Sequence, residues 1–178
     1  RLWDAATGKP LASGAGHQSQ VYGVAYSPDG NQLATCGADK TIRLWNAAGK
    51  QTKEITSQID DGLNSVAYSP DGKRLLTGGW AKTWQLWDPT QDAPIRTVAG
   101  HKDYIYRAIF NPAGTRAATI GYSGSLHIWD VNSGKQLHQQ DLPVKAAHGL
   151  AYSPDGKELA AATADKRLLL ITIPGGAQ

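Results

Sequence analysis

One feature constrains this chain more than any other: it repeats itself every 42 residues. Tyr26-Ser27-Pro28-Asp29-Gly30 returns as Tyr68-Ser69-Pro70-Asp71-Gly72, as Phe110-Asn111-Pro112-Ala113-Gly114 and as Tyr152-Ser153-Pro154-Asp155-Gly156, with no insertion or deletion between copies. Trp45, Trp87 and Trp129 keep the same register, and Trp3 lies one period before Trp45. A fixed period of this length marks a repeat architecture, in which each unit buries its faces only against its neighbours.

Within one unit the residues read as short strands. Val21–Tyr26 is a β-branched and aromatic run that ends at Ser27-Pro28-Asp29-Gly30, where Pro pre-sets φ at the second turn position and Gly suits the fourth. Gln32–Cys36 is the next strand, and after the turn Gly37–Lys40 a third runs over Thr41–Trp45, with alternating residues expected to face outward. Gln51–Ile55 is more polar, as an outer edge should be. No stretch carries a sustained helical period. The expected fold is all-β, a β-propeller of four-stranded antiparallel blades, about four in this chain. The repeats are placed at 5–46, 47–88, 89–130 and 131–172, with 1–4 left over from a preceding blade.

Composition removes several function classes. Hydrophobic residues at 40% and charged residues at 19% fit an ordinary globular chain. The net charge of +3 is spread along the sequence, whereas a nucleic-acid binder gathers its basic residues on one face. No apolar run reaches the length of a helical membrane span. Cys36 is the only cysteine, so an internal disulfide or a cysteine-built metal site is not expected, and the compartment is left open. The chain has no methionine and starts at Arg1, from which we expect a piece of a longer or processed product.

The motifs resemble those of the WD-repeat family. Gly16-His17 and Gly100-His101 match its Gly-His pair, and Trp3-Asp4, Trp45-Asn46, Trp87-Asp88 and Trp129-Asp130 match its Trp-Asp pair. The resemblance implies a buried hydrogen-bond network of His, Ser/Thr, Asp and Trp in each blade. The first repeat holds it complete as His17, Thr35, Asp39 and Trp45. The second keeps Thr77 and Trp87, with Ile59 and Ala81 in the other places. The third keeps His101, Thr119 and Trp129, with Ser123 at the Asp place, and the fourth keeps only Asp165. The first repeat is therefore expected to form the most rigid blade.

His17, Thr35 and Asp39 also spell a catalytic triad, but their register assigns them to the network, and no catalytic residue is expected. His127 and His138 are expected on the surface, Cys36 in the core, and neither metal nor cofactor is anticipated. Core positions are read from the register as Val24, Val66, Ala108 and Leu150, as Leu44, Leu86, Ile128 and Leu170, and as Ile42, Trp84, Leu126 and Leu168.

The resemblance further implies docking on the upper rim around the central channel. Carried over by register, that rim comprises Gln20, Tyr22 and Ala38; Gly62, Asn64 and Trp80; Tyr104, Tyr106 and Tyr122; and Ala146, His148 and Ala164. Its partner-binding candidates are Tyr22, Asn64, Trp80, Tyr104, Tyr106, Tyr122 and His148, with Trp80, Tyr104, Tyr106 and Tyr122 expected to cluster. Tyr and Trp are the residues most enriched at interface hot spots. The expected function is a non-catalytic scaffold that holds protein or peptide partners, with no nucleic acid and no membrane. The alternatives are a regulatory module of a larger enzyme-containing chain and a propeller piece without independent function. Four repeats leave two bare apolar end faces, so self-association or remaining blades are expected to close the ring.

Overall fold

The computed structural model describes residues 2–12 and 14–174. Strands β1 (Leu2–Trp3) and β2 (Pro10–Ala12) form a two-stranded piece. Blade one follows as β3 (Val21–Tyr26), β4 (Gln32–Gly37), β5 (Thr41–Asn46) and β6 (Gln51–Thr56). Blade two is β7 (Leu63–Tyr68), β8 (Leu75–Gly79), β9 (Thr83–Trp87) and β10 (Pro94–Ala99). Blade three is β11 (Ile105–Phe110), β12 (Arg116–Gly121), β13 (Ser125–Asp130) and β14 (Gln136–Asp141). Blade four contains β15 (Ala147–Tyr152), β16 (Glu158–Thr163) and β17 (Leu168–Thr172). Every pairing is antiparallel between strands adjacent in sequence, and no helix occurs among the described residues.

The Pro-containing turns make these hairpins. In all four, the amide of the fifth motif residue donates to the carbonyl of the second at 2.9 Å: Gly30 to Ser27, Gly72 to Ser69, Gly114 to Asn111, and Gly156 to Ser153. Each of these glycines has a positive φ, from 70 to 73°, a backbone region costly for residues with a Cβ. The serine hydroxyls of three copies also donate to the following Asp, as Ser27 Oγ does to Asp29 at 2.5 Å.

The strands β3, β7, β11 and β15 lie side by side in chain order, and one apolar layer fills each gap between blades. Ala34, Cys36, Ile42 and Leu44 of blade one pack on Leu63, Val66, Leu75 and Trp87 of blade two. Leu76, Trp84 and Leu86 meet Ile105, Ala108, Phe110 and Trp129; Ile120, Leu126 and Ile128 meet Ala147, Leu150, Leu159 and Ile171. In blade one, β5 is buried along nearly its whole length rather than alternating, with Ile42 and Leu44 against blade two and Arg43 and Trp45 against the segment at Gly14 and Gly16. Its Arg43 stays inside by pairing with Glu54 at 3.0 Å.

The register reading of the core fails at the two ends. Val24 is 60% exposed although its counterpart Val66 is buried, and Leu168 and Leu170 are 68% and 70% exposed. The side chains are the expected ones; what is missing is a neighbouring sheet to cover them. Around Val24, the residues Val21, Tyr26, Leu33 and Trp45 line an open apolar hollow of about 440 Å³.

Candidate functional site

The rim is built by an irregularity that every blade repeats. In β3, Val21 faces Gly37 and Gly23 faces Cys36, so Tyr22 is left without a partner in the ladder. The same skip falls at Asn64 in β7, Tyr106 in β11 and His148 in β15. An extra residue of this kind bends the strand locally and re-aims its side chain. The bulges are locked by the neighbouring hairpin turns. The amides of Ala38, Trp80, Tyr122 and Ala164 donate to the carbonyls of Gln20, Gly62, Tyr104 and Ala146 at 2.8 to 3.0 Å. Gly37 and Gly79 admit this approach, because a Cβ on either would collide with the carbonyl of Gln20 or Gly62.

Each blade thus presents one bulge residue and one turn residue at the same edge. Tyr22 of blade one packs on Trp80 of blade two with ring centres 5.8 Å apart. Tyr106 lies 5.7 Å from Tyr122 and meets His148 edge-on at 4.9 Å. Between these two groups opens a cleft of about 330 Å³ lined by Tyr22, Asn64, Trp80, Tyr106, Arg107 and His148.

The expected cluster of Trp80, Tyr104, Tyr106 and Tyr122 is therefore divided differently. Trp80 pairs with Tyr22, and Tyr104, half-exposed, stacks on no ring among the described residues. Asn64 is only 8% exposed and donates through Nδ2 to the carbonyl of Ile105 at 3.0 Å, tying blade two to blade three at the floor of the cleft. Arg107 escaped the register reading. A signal was present: the equivalent places hold Gly23, Ser65 and Gly149, so a cation breaks a run of small residues.

In blades one and three a His, a Thr and a Trp side chain meet at one hydroxyl. In blade one, His17 Nδ1 lies 2.9 Å from Asp39 Oδ2, His17 Nε2 lies 2.7 Å from Thr35 Oγ1, and Trp45 Nε1 donates to the same hydroxyl at 2.8 Å. Burial pushes the Asp39 carboxyl up, but hydrogen bonds from the Gln18 amide, His17 and Thr41 outweigh it and hold the group below its usual range. In blade two, Trp87 donates to Thr77 at 2.9 Å without a histidine.

Blade three repeats the chain of His101, Thr119 and Trp129, with contacts of 2.6 and 2.7 Å. Its carboxylate arrives from the opposite side. Asp103 Oδ2 accepts the Ser123 amide at 2.7 Å, while Asp103 Oδ1 and His101 Nδ1 are both buried without a hydrogen-bond partner among the described residues. The expected surface position of His127 is corrected here, since it is 0% exposed. It bonds Ser125 and Gln136 at 2.9 Å, and its ring centre lies 4.0 Å from that of His101. Its place holds Arg43 and Gln85 in the preceding blades, and both are also buried and bonded. Burial first, and the nearby His127 second, depress His101 to about 3. Cys36 is buried as expected, and burial raises its thiol to about 12.

Sheets of four antiparallel strands stacked face to face, with an indole-to-threonine bond in three of them, define a WD-repeat β-propeller. The family model for the WD domain, G-beta repeat, matches residues 8–46, 49–88 and 92–130, and the chain belongs to this family. The unmatched fourth repeat is the one that has lost most of the network residues. WD-repeat proteins are in general non-catalytic interaction scaffolds.

Among curated proteins, the chain is similar to the probable cytosolic iron-sulfur protein assembly protein Ciao1 of Drosophila mojavensis, 48% identical over 44 residues. It is also similar to the homologues in Chlamydomonas reinhardtii, 44% over 43 residues, and Nematostella vectensis, 56% over 34 residues. These matches cover 24%, 24% and 19% of this chain and 13%, 12% and 10% of the relatives.

Proposed function

We propose that this chain is a non-catalytic scaffold whose rim cleft docks protein partners by an exposed peptide segment. The observation that carries the reading is convergence: four blades each place the extra residue of a bulge at one edge, and residues from all four line a single aromatic cleft. Aromatic side chains on a rigid frame supply contact area at little entropic cost, which is the usual composition of an interface hot spot. Of the seven rim candidates, Tyr22, Asn64, Trp80, Tyr106 and His148 line the cleft, Tyr122 backs Tyr106, and Tyr104 lies outside it.

The division into repeats at 5–46, 47–88, 89–130 and 131–172 belongs to the same proposal. Each repeat then carries the outer strand of one blade followed by three strands of the next. This overlap fits the uncovered faces around Val24 and Leu170, which call for further blades or a second copy. The relatives' names speak of iron-sulfur protein assembly, but the likeness spans about one repeat, so only the notion of assembling proteins is taken from them.

The test uses a phage-displayed peptide library selected on the intact protein. The selected peptides should lose binding to the Trp80→Ala/Tyr106→Ala double variant, keep it for Tyr104→Ala, and leave the melting profile of the double variant close to the parent's. Retained binding by the double variant would refute the rim reading.

A further inference from the structure

The cleft holds one charged side chain, and that side chain is unused. Arg43 pairs with Glu54, Arg74 with Asn132, Arg96 with the Asn132 carbonyl and Arg167 with Asp165. Arg107 makes no hydrogen bond or ion pair among the described residues, although it is half-buried and lines the cleft with Tyr22, Trp80 and Tyr106. No carboxylate lines the cleft with it. The other blades carry Gly23, Ser65 and Gly149 at this place, so the β-sheet does not require a long side chain there.

A guanidinium in such a setting is an incomplete pair. Its planar fork matches a carboxylate with two parallel hydrogen bonds, and partial burial of Arg107 in the cleft leaves the pair less screened than it would be on an open surface. A phosphoryl dianion is ordinarily met by a cluster of arginines, and this cleft offers one. At about 330 Å³ it has room for a few side chains.

We infer that the rim cleft selects a linear acidic peptide, in which an Asp or Glu carboxylate pairs with Arg107 while flanking apolar side chains lie on Tyr22 and Trp80 and on Tyr106. The inference rests on the rim reading above and adds the chemistry of the partner. Asn64, already committed to Ile105, holds the floor and leaves Arg107 as the charge-recognising group.

The intact protein is applied to an array of short peptides that share Leu, Tyr and Gly flanks and carry Glu, Gln, phosphoserine or Lys at the centre. Glu-centred peptides should bind at least about tenfold tighter than their Gln counterparts, the size expected for a charge-assisted bond. Arg107→Gln should erase that preference with an unchanged melting profile, and Arg107→Lys should keep part of it. Equal binding of Glu and Gln peptides, an unaltered preference in Arg107→Gln, a clear preference for phosphoserine, or no binding at all would each overturn the inference. The Trp80→Ala/Tyr106→Ala variant separates the two readings. If it abolishes binding while Glu and Gln peptides bind equally, only the acidic specificity falls. If it leaves binding intact, the rim reading falls as well.

Discussion

Blades one and three build the same histidine–threonine–tryptophan chain and place it in different electrical surroundings. In blade one the Asp39 carboxylate lies directly on His17 Nδ1, beside an open hollow bordered by His17, Thr35 and Trp45. In blade three the network is sealed between sheets, its carboxylate is displaced to Asp103, and a second imidazole, His127, presses against His101. Geometry is kept and charge is redistributed. The indole and threonine therefore carry the shared structural role, while burial and the neighbouring His127 set how blade three responds to acid.

The largest expected difference is in pH dependence. His101 is held neutral in the fold, to about 3, against an ordinary value of 6.5. The unfolded chain takes up a proton below 6.5 that the folded blade refuses, so stability is full above that value and falls as pH drops toward 3. The total is on the order of 5 kcal/mol. Asp39 is also shifted down, below its ordinary 3.8, so its contribution is full above that value and fails only in stronger acid. Hydrogen exchange between pH 7 and 4 should show amides of β11–β13 losing protection before those of β3–β5. Simultaneous loss would break the comparison.

Next in size is Thr119→Val, which strands the buried Trp129 N–H and His101 Nε2 and should cost about 3 kcal/mol. Thr35→Val should cost about half as much, because the hollow beside it lets water reach the freed groups. Urea midpoints at constant slope measure both, and equal losses would show that the open face makes no difference.

A smaller effect is expected from moving the carboxylate. Asp103→Ser combined with Ser123→Asp copies the blade-one arrangement and offers His101 Nδ1 a partner. It should add about 1 kcal/mol and shift the loss of blade-three protection to lower pH, since a paired imidazole no longer leaves a buried nitrogen empty. No change in that profile would mean the displaced carboxylate already serves.

The smallest lies in the hairpin turn, where Lys40 sits at φ 66° and Gly124 holds the equivalent place at φ 85°. Lys40→Gly should relieve backbone strain by about 0.5 kcal/mol, net of the entropy that glycine adds to the unfolded chain. A melting temperature that falls instead would show that the ion pair of Lys40 with Asp60 outweighs the strain.

The strand order and the hairpin turns were legible in the sequence because they recur, whereas Asp103 beside the blade-three network lies outside the register of Asp39 and was not. A position that is apolar or hydroxylic in successive copies reports its own side of the sheet. The core assignments of Val24, Leu168 and Leu170 went wrong for the same reason: register records which face a residue is on, and says nothing of whether another sheet covers it. His127 was misplaced because a lone histidine on a strand reads as exposed, although the polar series Arg43, Gln85 and His127 runs through the interior.

By itself, the sequence determined the 42-residue unit, its four-strand grammar and the WD-repeat membership, since all of these depend on chemistry local to one copy or on comparison between copies. Only the tertiary structure decided that one skipped residue per blade turns Tyr22, Asn64, Tyr106 and His148 to a common edge, and that Arg107 stands among them without a partner among the described residues. A bulge is set by how two strands meet, and a cleft by how sheets stack. Neither is a property of any single strand.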